Sequence, residues 1–336
     1  MRAIVVKEPG SIALVDRPDP EQPPTGWVAV DISHVGICGT DYHIYEGKHP
    51  FLQYPRVIGH ELSGVVAADA AGWNKGARVV INPYIACGEC HACLRGKPNC
   101  CMRIGVLGVH RDGGLCERIN IPAGNLIAAD GLDQAEAATV EFLAIGAHAV
   151  RRSAMTSADR VLVVGAGPIG LGAALFARLR GAEVDLLDAS ADRLALISER
   201  FGFAATHVVA DGAAALLAVT GGNGFDVVFD ATGSAGAMQT SFGYVAHGGT
   251  LVLVGVTPAD VTFNDAEFHK REMSLLGSRN ATAEDFQTVV AALKSGAIDY
   301  RKLITHKTSL EGLPESIAAW AADRSQVIKA MVDVAP

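Results

Sequence analysis

The sequence lacks the features of a nucleic-acid-binding or membrane protein. No run of lysine and arginine exceeds two residues, and 28 basic side chains are outnumbered by 36 acidic ones, which gives a net charge of −8. An acidic chain of this kind is a poor partner for nucleic acid or an anionic membrane. The apolar stretch 161–177 contains four glycines and a proline, which is not typical of a membrane span.

A secretory signal and disulfide bonds are also not expected. The start, MRAIVV, turns polar at Lys7 and is too short for the apolar core of a signal peptide. Five of the seven cysteines lie between Cys87 and Cys101, a crowding that favours metal binding over disulfides. We therefore expect a cytoplasmic protein. There is no internal repeat, and 336 residues predict about two domains.

The middle of the chain has the pattern of a doubly wound α/β fold. From about residue 155, six short apolar runs alternate with helical stretches such as 169–180 and 191–201; the runs are 161–164, 184–187, 206–209, 225–230, 250–255 and 273–277. Near-continuous hydrophobic strands of this type are typical of a parallel sheet covered on both faces. We therefore predict a Rossmann-type sheet here.

The first 145 residues predict a different, β-rich domain. Short runs such as WVAVDI and SGVVAA are separated by turns rich in proline and glycine, including PDPEQPP at 18–24, which indicates an irregular, largely antiparallel β domain. The tail contains two amphipathic helical stretches, Ala283–Lys294 and Leu313–Ala322. Periodicity alone does not assign this tail to either domain.

GAGPIG at 165–170 has the context of a dinucleotide-binding loop, because it follows the strand VLVV and opens an apolar helix. Gly165 permits the tight turn, Gly167 lets the backbone approach a pyrophosphate, and Gly170 allows close packing of helix and sheet. The next strand ends at Asp188, where a carboxylate would bond the ribose hydroxyls and disfavour a 2′-phosphate. The pattern predicts NAD rather than NADP, although Arg193 suits either the adenine or a 2′-phosphate.

Two groups of residues predict zinc sites. Cys87, Cys90, Cys93 and Cys101 are spaced to wrap one tetrahedral, closed and therefore structural zinc, with Cys100 as the competing fourth ligand. The second group is spread out in sequence: Cys38, His60, Glu61 and Glu141. Thiolate, imidazole and carboxylate together can hold zinc and leave one position open for a substrate.

CGTDYH (38–43), GHELSG (59–64), the four-cysteine loop and VLVVGAGPIG (161–170), in this order, resemble the zinc-containing medium-chain dehydrogenases. The resemblance covers essentially the whole chain. It implies a GroES-like catalytic domain over 1–148 with both zinc sites, a Rossmann NAD-binding domain over 149–280, and a segment 281–336 that returns to the catalytic domain. It also implies a dimer or tetramer.

The resemblance further implies residue roles. Cys38 and His60 would be ligands of the catalytic zinc, and Glu61 a ligand or a neighbour that moves onto the metal. Glu141 matches the glutamate of the polyol dehydrogenases, but Phe142 follows it where that subgroup commonly has proline. Thr40 and His43 would relay the proton. The expected cofactor contacts are Gly165, Gly167, Pro168, Ile169, Gly170, Asp188, Arg193, Val254, Ser278 and Arg279.

Within the family, YPRVIGHE, GVHRDGG (108–114) and the segment 265–282 look most like the sugar-acid 5-dehydrogenases. This likeness implies NAD-linked oxidation of a secondary alcohol on an acid of the L-galactonate, L-gulonate or L-idonate type. Glu141 would face the substrate, and a cation would meet its carboxylate, for which Arg279, His110 and Arg56 are the candidates. The alternatives are a polyol (sorbitol- or galactitol-like) or L-threonine dehydrogenase and, more remotely, a non-catalytic binding or regulatory protein on the same fold.

Overall fold

The computed structural model describes residues 1–49 and 52–334. Its contacts divide the chain into two compact units, one formed by residues 1–142 and 281–336 and the other by residues 143–280. The first boundary between the two units therefore follows residue 142, six residues before the domain boundary that was expected after residue 148. It lies in the first turn of a helix, Val140–Ser153.

The N-terminal part of the first unit consists mainly of short strands. Its elements are β1 (Arg2–Glu8), β2 (Ser11–Asp16), β3 (Trp27–Ile37), α1 (Gly39–Tyr45), β4 (Arg56–Val57), β5 (Glu61–Val66), β6 (Arg78–Ile81), β7 (Tyr84–Ile85), α2 (His91–Leu94), β8 (Gly105–Val106), β9 (Arg118–Pro122), β10 (Leu126–Ala128), α3 (Gln134–Ala137) and the start of α4 (Val140–Ser153). In the first half of β3, buried side chains (Val28, Val30 and Ile32) alternate with half-buried ones. This alternation is what a strand with one face on the core requires.

The second unit alternates strands with helices. Its elements after α4 are β11 (Arg160–Val164), α5 (Pro168–Leu179), β12 (Glu183–Asp188), α6 (Ala191–Phe201), β13 (Thr206–Val208), α7 (Ala213–Ala218), β14 (Phe225–Asp230), α8 (Ala235–Ser241), β15 (Val245–Leu253), α9 (Asp265–Lys270) and β16 (Ser274–Gly277). The strands form one parallel sheet in the order β13-β12-β11-β14-β15-β16. This is the doubly wound order, and the six predicted strands are confirmed.

The tail completes the first unit. It adds α10 (Ala283–Lys294), β17 (Ile304–Ser309), α11 (Leu313–Ala322) and β18 (Lys329–Asp333), so both predicted tail helices are confirmed. The largest sheet of this unit has the order β10-β6-β5-β3-β18-β17, with β9 also paired to β3. Its pairs are antiparallel except β17 with β18. Because Ala330 pairs with Ile37, Lys329 lies at the end of β3, where Cys38 begins α1.

No helix within residues 1–49 and 52–334 has the length and apolar character needed to cross a bilayer.

Candidate functional site

The first unit brings together three of the predicted zinc ligands. One potential ligand atom from each of Cys38, His60 and Glu61 lies within 4.8 Å of the other two. Cys38 is the N-cap residue of α1, and Glu61 opens β5 directly after His60. Glu61 pairs with Gly36 across the sheet. Antiparallel pairing of β3 and β5 therefore brings the segment of Cys38 next to that of His60, although more than twenty residues separate them in sequence.

Asp41 fixes the backbone around these ligands. One oxygen of its fully buried carboxylate accepts the N–H of Cys38 at 2.9 Å, and the other accepts the N–H of Gly59 at 3.2 Å. The latter oxygen also lies 3.9 Å from Nδ1 of His60. This separation is longer than a hydrogen bond, and Nδ1 of His60 has no hydrogen-bond partner among the described residues, so Asp41 acts on the imidazole through its charge. Asp41 was not among the predicted site residues, although its position three residues after an N-cap is a capping-box signal.

Lys329 is the main functional residue that the sequence analysis missed. Its side chain is 1% exposed, and its Nζ donates to Oε1 of Glu61 at 2.6 Å and to the carbonyl oxygen of Ile37 at 3.2 Å. The ammonium also lies 4.3 Å from the ring centroid of Phe142. Phe142, the residue that departs from the polyol subgroup, therefore contributes an aromatic face to this buried charge.

Gly36 makes room for the carboxylate of Glu61. A Cβ at position 36 would collide with Oε2 of Glu61. Oε2 is buried and has no hydrogen-bond partner among the described residues. One oxygen of Glu61 is thus held by an ammonium while the other keeps its acceptor capacity for a ligand.

Glu141 lies near this group but outside the set of mutually close ligand atoms. Its buried carboxylate accepts the hydroxyl hydrogen of Tyr84, and the Tyr84 ring packs edge-on against Phe286 at 6.4 Å between centroids. Burial raises the pKa of Glu141 to about 7, and the positive charge of His60 opposes that rise. Glu141 therefore presents a carboxyl group with an unusually high proton affinity, positioned by a tyrosine that the sequence analysis did not single out.

The two predicted relay residues follow Cys38 on α1. Oγ1 of Thr40 lies 3.9 Å from Sγ of Cys38, and the side chain of His43 is exposed one turn later. Partial burial and the neighbouring Arg324 guanidinium lower the pKa of His43. An imidazole with a lowered pKa releases a proton to water readily at neutral pH.

The donor set around Cys38 fits a catalytic zinc. A thiolate, an imidazole and a carboxylate are the ligand types of open zinc sites. Burial opposes a charged imidazole, but the charges of Cys38 and Asp41 act more strongly and raise the pKa of His60 well above its ordinary value. A crowded, buried group of potential anions of this kind is the environment that a divalent cation neutralises.

The four-cysteine loop forms a second, compact group. Sγ of Cys90 lies 3.5 Å from that of Cys93 and 3.9 Å from that of Cys101, and the sulfurs of Cys87 and Cys93 are 4.0 Å apart. Four thiolates at about 2.3 Å from one tetrahedral zinc would be about 3.8 Å apart, so the arrangement fits this metal. Cys100, the competing candidate, lies outside the group with an exposed side chain.

Hydrogen-bond donors surround these sulfurs. Backbone N–H groups of Cys87 and Arg103 donate to Sγ of Cys101, each at 3.3 Å. The guanidinium of Arg103 lies 3.6 Å from Sγ of Cys87 and also pairs with Glu89. The backbone N–H of Glu89, more than the other donors, lowers the pKa of Cys87 to about 6. These donors stabilise thiolates, the form that binds zinc.

The second unit contains a cavity of about 540 Å³ at the carboxyl ends of its strands. It is lined by Val164, Gly165, Gly167, Leu187, Asp188, Ala189, Val209, Ala231, Thr232, Ser234, Gly236, Ala237, Thr240 and Tyr244. Gly165 has φ +94°, a conformation that side chains disfavour, and a Cβ at Gly170 would collide with its carbonyl oxygen. Both glycines therefore perform the steric roles predicted for them, and the N-terminus of α5 faces a space suited to a dinucleotide.

Asp188 is fixed at the edge of this cavity by two backbone donors. Its carboxylate accepts the N–H of Ala166 at 2.7 Å and the N–H of Ser190 at 2.8 Å. These bonds connect the glycine-rich turn to the end of β12. The negative charge of Asp188 therefore lies where the ribose of a cofactor would bind. A negative charge at this position fits NAD better than a cofactor with a 2′-phosphate.

The other predicted cofactor and substrate residues lie on different parts of the chain. Val254 and Ser278 are buried, and Arg279 follows β16 with an exposed side chain. The hydroxyl of Ser278 has no hydrogen-bond partner among the described residues. His110 is exposed and accepts the N–H of Val106 through Nδ1 at 3.2 Å. Arg56 is mostly buried and pairs with Asp112 at 3.5 Å, and its Nε has no hydrogen-bond partner among the described residues. Pro168 and Ile169 form the first turn of α5, and Arg193 belongs to α6.

Comparison with known proteins establishes the family. Residues 24–131 match the alcohol dehydrogenase GroES-like domain, and residues 168–295 match the zinc-binding dehydrogenase family. The chain therefore belongs to the zinc-binding dehydrogenases, a family of oxidoreductases. The predicted GroES-like and Rossmann architecture is confirmed, as is the resemblance drawn from the motifs.

The chain is also similar over nearly its whole length to individual dehydrogenases. The chain is 40% identical over 336 residues to L-galactonate-5-dehydrogenase of Escherichia coli K12, which covers 99% of this chain and 98% of that relative. The alcohol dehydrogenase rspB of Escherichia coli CFT073, solved with the cofactor NADH, is 30% identical with a TM-score of 0.92 and 99% coverage of both chains. L-idonate 5-dehydrogenase of Escherichia coli K-12 MG1655 is 27% identical with a TM-score of 0.90, covering 99% of this chain and 98% of that one.

Proposed function

We propose that this protein oxidises a secondary alcohol of a sugar acid, of the L-galactonate, L-gulonate or L-idonate type, with NAD⁺ as hydride acceptor and a catalytic zinc held by Cys38 and His60. The observation that carries the proposal is the carboxylate-rich composition of this site. A single thiolate and a single imidazole are accompanied by Glu61 and Glu141, both almost completely buried. The similarity to a relative named for L-galactonate supports the substrate class.

The chain's own residues divide the work of this reaction. Cys38 and His60 hold the metal, which when bound lowers the pKa of a substrate hydroxyl while the nicotinamide accepts hydride. Thr40 accepts the substrate hydroxyl proton at Oγ1 as it gives up its own hydroxyl proton, and His43 releases one proton to solvent from its exposed imidazole. Asp41 fixes the backbone N–H groups of Cys38 and Gly59, and Lys329 restrains one oxygen of Glu61. The four-cysteine group holds a structural zinc, because its closed coordination leaves no position for a substrate.

The choice of NAD⁺ as the cofactor is based on the cavity of the second unit. Its glycine-rich turn opens α5, whose N-terminus attracts the pyrophosphate. Asp188, fixed by its two backbone bonds, would accept hydrogen bonds from ribose hydroxyls and repel a 2′-phosphate. The rspB relative was solved with NADH and a zinc-binding dehydrogenase of Sinorhizobium meliloti with NADP, so the choice of NAD⁺ rests on Asp188.

The test is a substrate panel with zinc-saturated protein. L-galactonate, L-gulonate, L-idonate, sorbitol, galactitol and L-threonine are offered with NAD⁺ or NADP⁺, and NADH or NADPH absorbance is followed. We expect one of the three acids with NAD⁺ to give the highest kcat/KM. A polyol or L-threonine in that position would replace the proposed substrate class, and the absence of turnover with all six would contradict the sugar-acid assignment.

The metal assignment has its own control. Cys38→Ser is expected to reduce turnover at least a thousandfold, because it removes a ligand from the catalytic site. NADH binding, measured by fluorescence, should persist. Cys100→Ser is the matched substitution, since Cys100 is an exposed cysteine outside both groups, and it should leave turnover and zinc content close to those of the unmodified protein. Full activity of metal-stripped protein would refute the zinc mechanism.

A further inference from the structure

Three histidines lie around the proposed zinc ligands without belonging to them. His43 is on α1, which begins at Cys38. The chain after α1 folds back over it, because the N–H of Lys48 donates to the carbonyl oxygen of His43 at 2.8 Å. His49 follows Lys48, and its imidazole is close enough to those of His43, His60 and His110 for their charges to act on it.

His110 reaches the same neighbourhood from a different loop. A Cβ on Gly108 would lie 2.9 Å from the backbone nitrogen of Gly59, and the N–H of Gly114 donates to the carbonyl oxygen of Gly59 at 3.0 Å. The loop that carries His110 is thus seated on the residue directly before His60.

His49 differs from the other two histidines in its hydrogen bonding. Its Nδ1 is buried and has no hydrogen-bond partner among the described residues. An unpaired buried polar nitrogen lowers stability by about 1–3 kcal/mol, so its persistence in a site of polar residues points to a ligand group that pairs with it. Burial lowers the pKa of His49, and the nearby His110, His43 and His60 lower it further. The imidazole is therefore neutral and suited to a hydroxyl group, to which it can donate or from which it can accept.

We propose that His49 is a specificity-determining residue whose Nδ1 hydrogen-bonds a substrate hydroxyl other than the one that is oxidised. The inference rests on the proposed function in taking a polyhydroxylated acid as the substrate. It assigns His49 to hydrogen-bonding the hydroxyl-bearing carbon chain of the substrate.

Direct binding tests this role. L-galactonate is titrated by calorimetry into zinc-saturated protein that is also saturated with NADH, so the measurement does not depend on turnover. His49→Leu removes the hydrogen-bonding nitrogen and is expected to weaken binding about tenfold. His49→Asn keeps a polar atom near the position of Nδ1 and should recover affinity to within about threefold of the unmodified protein. His247→Leu, at an exposed histidine of the second unit, is the matched control and should bind normally.

The outcomes separate the two proposals. Equal affinity for His49→Leu and the unmodified protein would overturn the role of His49 while leaving the sugar-acid assignment intact, and so would equal losses in His49→Leu and His49→Asn. If the unmodified protein prefers a polyol, the same titrations with that polyol test His49, and only the proposed substrate class fails. If the unmodified protein binds neither the acids nor the polyols, both proposals are wrong.

Discussion

Replacing Lys329 with methionine is expected to reduce the free energy of unfolding by about 3–5 kcal/mol, the range found when one partner of a buried ion pair is removed. Methionine keeps most of the length of the side chain but removes its charge. The carboxylate of Glu61 would then remain fully buried with neither oxygen bonded to a cation, because Oε2 already has no partner among the described residues. The loss arises from an uncompensated charge and not from a change in packing volume.

Lys270→Met is the matched control for the change in unfolding free energy. Lys270 pairs with Glu267 at 3.5 Å, and both side chains are more than half exposed. Exposed pairs of this kind contribute at most about 1 kcal/mol, so Lys270→Met should change the unfolding free energy by less than that. A double variant, Lys329→Met with Glu61→Gln, removes both charges and is expected to recover at least half of the stability lost in Lys329→Met.

The assay is urea unfolding in the presence of a chelator, so that a bound metal does not compensate for the lost lysine. The two units are followed as separate transitions, since a protein with two compact units need not unfold in one step. The expected shift is confined to the transition of the unit that contains Lys329. The argument that Lys329 neutralises Glu61 would be refuted if Lys329→Met lost no more unfolding free energy than Lys270→Met. It would also be refuted if the double variant recovered none of the unfolding free energy that Lys329→Met loses.

Three further predictions follow. Arg103→Ala is expected to weaken zinc binding by the four cysteines at least tenfold, as measured by competition with a colorimetric chelator, because removing a partner that supports metal ligands has effects of this size; Arg95→Ala on the same loop should have no effect. Asp188→Asn is expected to reduce the preference for NAD⁺ over NADP⁺ at least tenfold in kcat/KM, and an unchanged ratio would remove Asp188 from cofactor selection. Because burial raises the pKa of Glu141 from 4.5 to about 7, its contribution to stability is present at low pH and is lost as the pH rises through about 7. Between about pH 5.5 and about pH 8, the free energy of unfolding of the zinc-free protein should therefore fall by about 2 kcal/mol more than that of the zinc-free Glu141→Gln variant, as measured by urea titrations. If the unfolding free energies of the two proteins change in parallel with pH, Glu141 does not titrate in this way.

Local pattern was sufficient for much of the architecture. The helices at Ala283–Lys294 and Leu313–Ala322 have the predicted bounds, because each carries its own amphipathic period. The six strands of the parallel sheet were predictable because each is a continuous apolar run. The strand β15 begins at Val245 and not at residue 250. His247, Gly248 and Gly249 interrupt the apolar run, and the pairing with β14 shifts register here, where Gly248 has φ +77°.

The candidate site was only partly predictable. The spacing of the four cysteines predicted their metal chemistry, whereas the roles of Cys38 and His60 came from the resemblance of their short motifs to the zinc-containing medium-chain dehydrogenases. The sequence did not choose between Cys100 and Cys101, because neighbouring residues are equivalent in spacing until the loop geometry turns one of them outward. Asp41 had a local capping signal, whereas Tyr84 and His49 had none that distinguished them from ordinary aromatic or surface residues.

The sequence by itself determined that this chain builds a β-rich unit, a parallel-sheet unit and two clusters of zinc-binding residue types. Only the tertiary structure decided how the charges around Cys38 are balanced. Lys329 lies 268 residues after Glu61, and antiparallel pairing of β18 with β3 brings its ammonium to that carboxylate, one of the proposed metal ligands. A lysine in a terminal strand resembles a solvent-exposed residue in any local pattern, because burial and charge pairing depend on which strands become neighbours, and that depends on the whole fold.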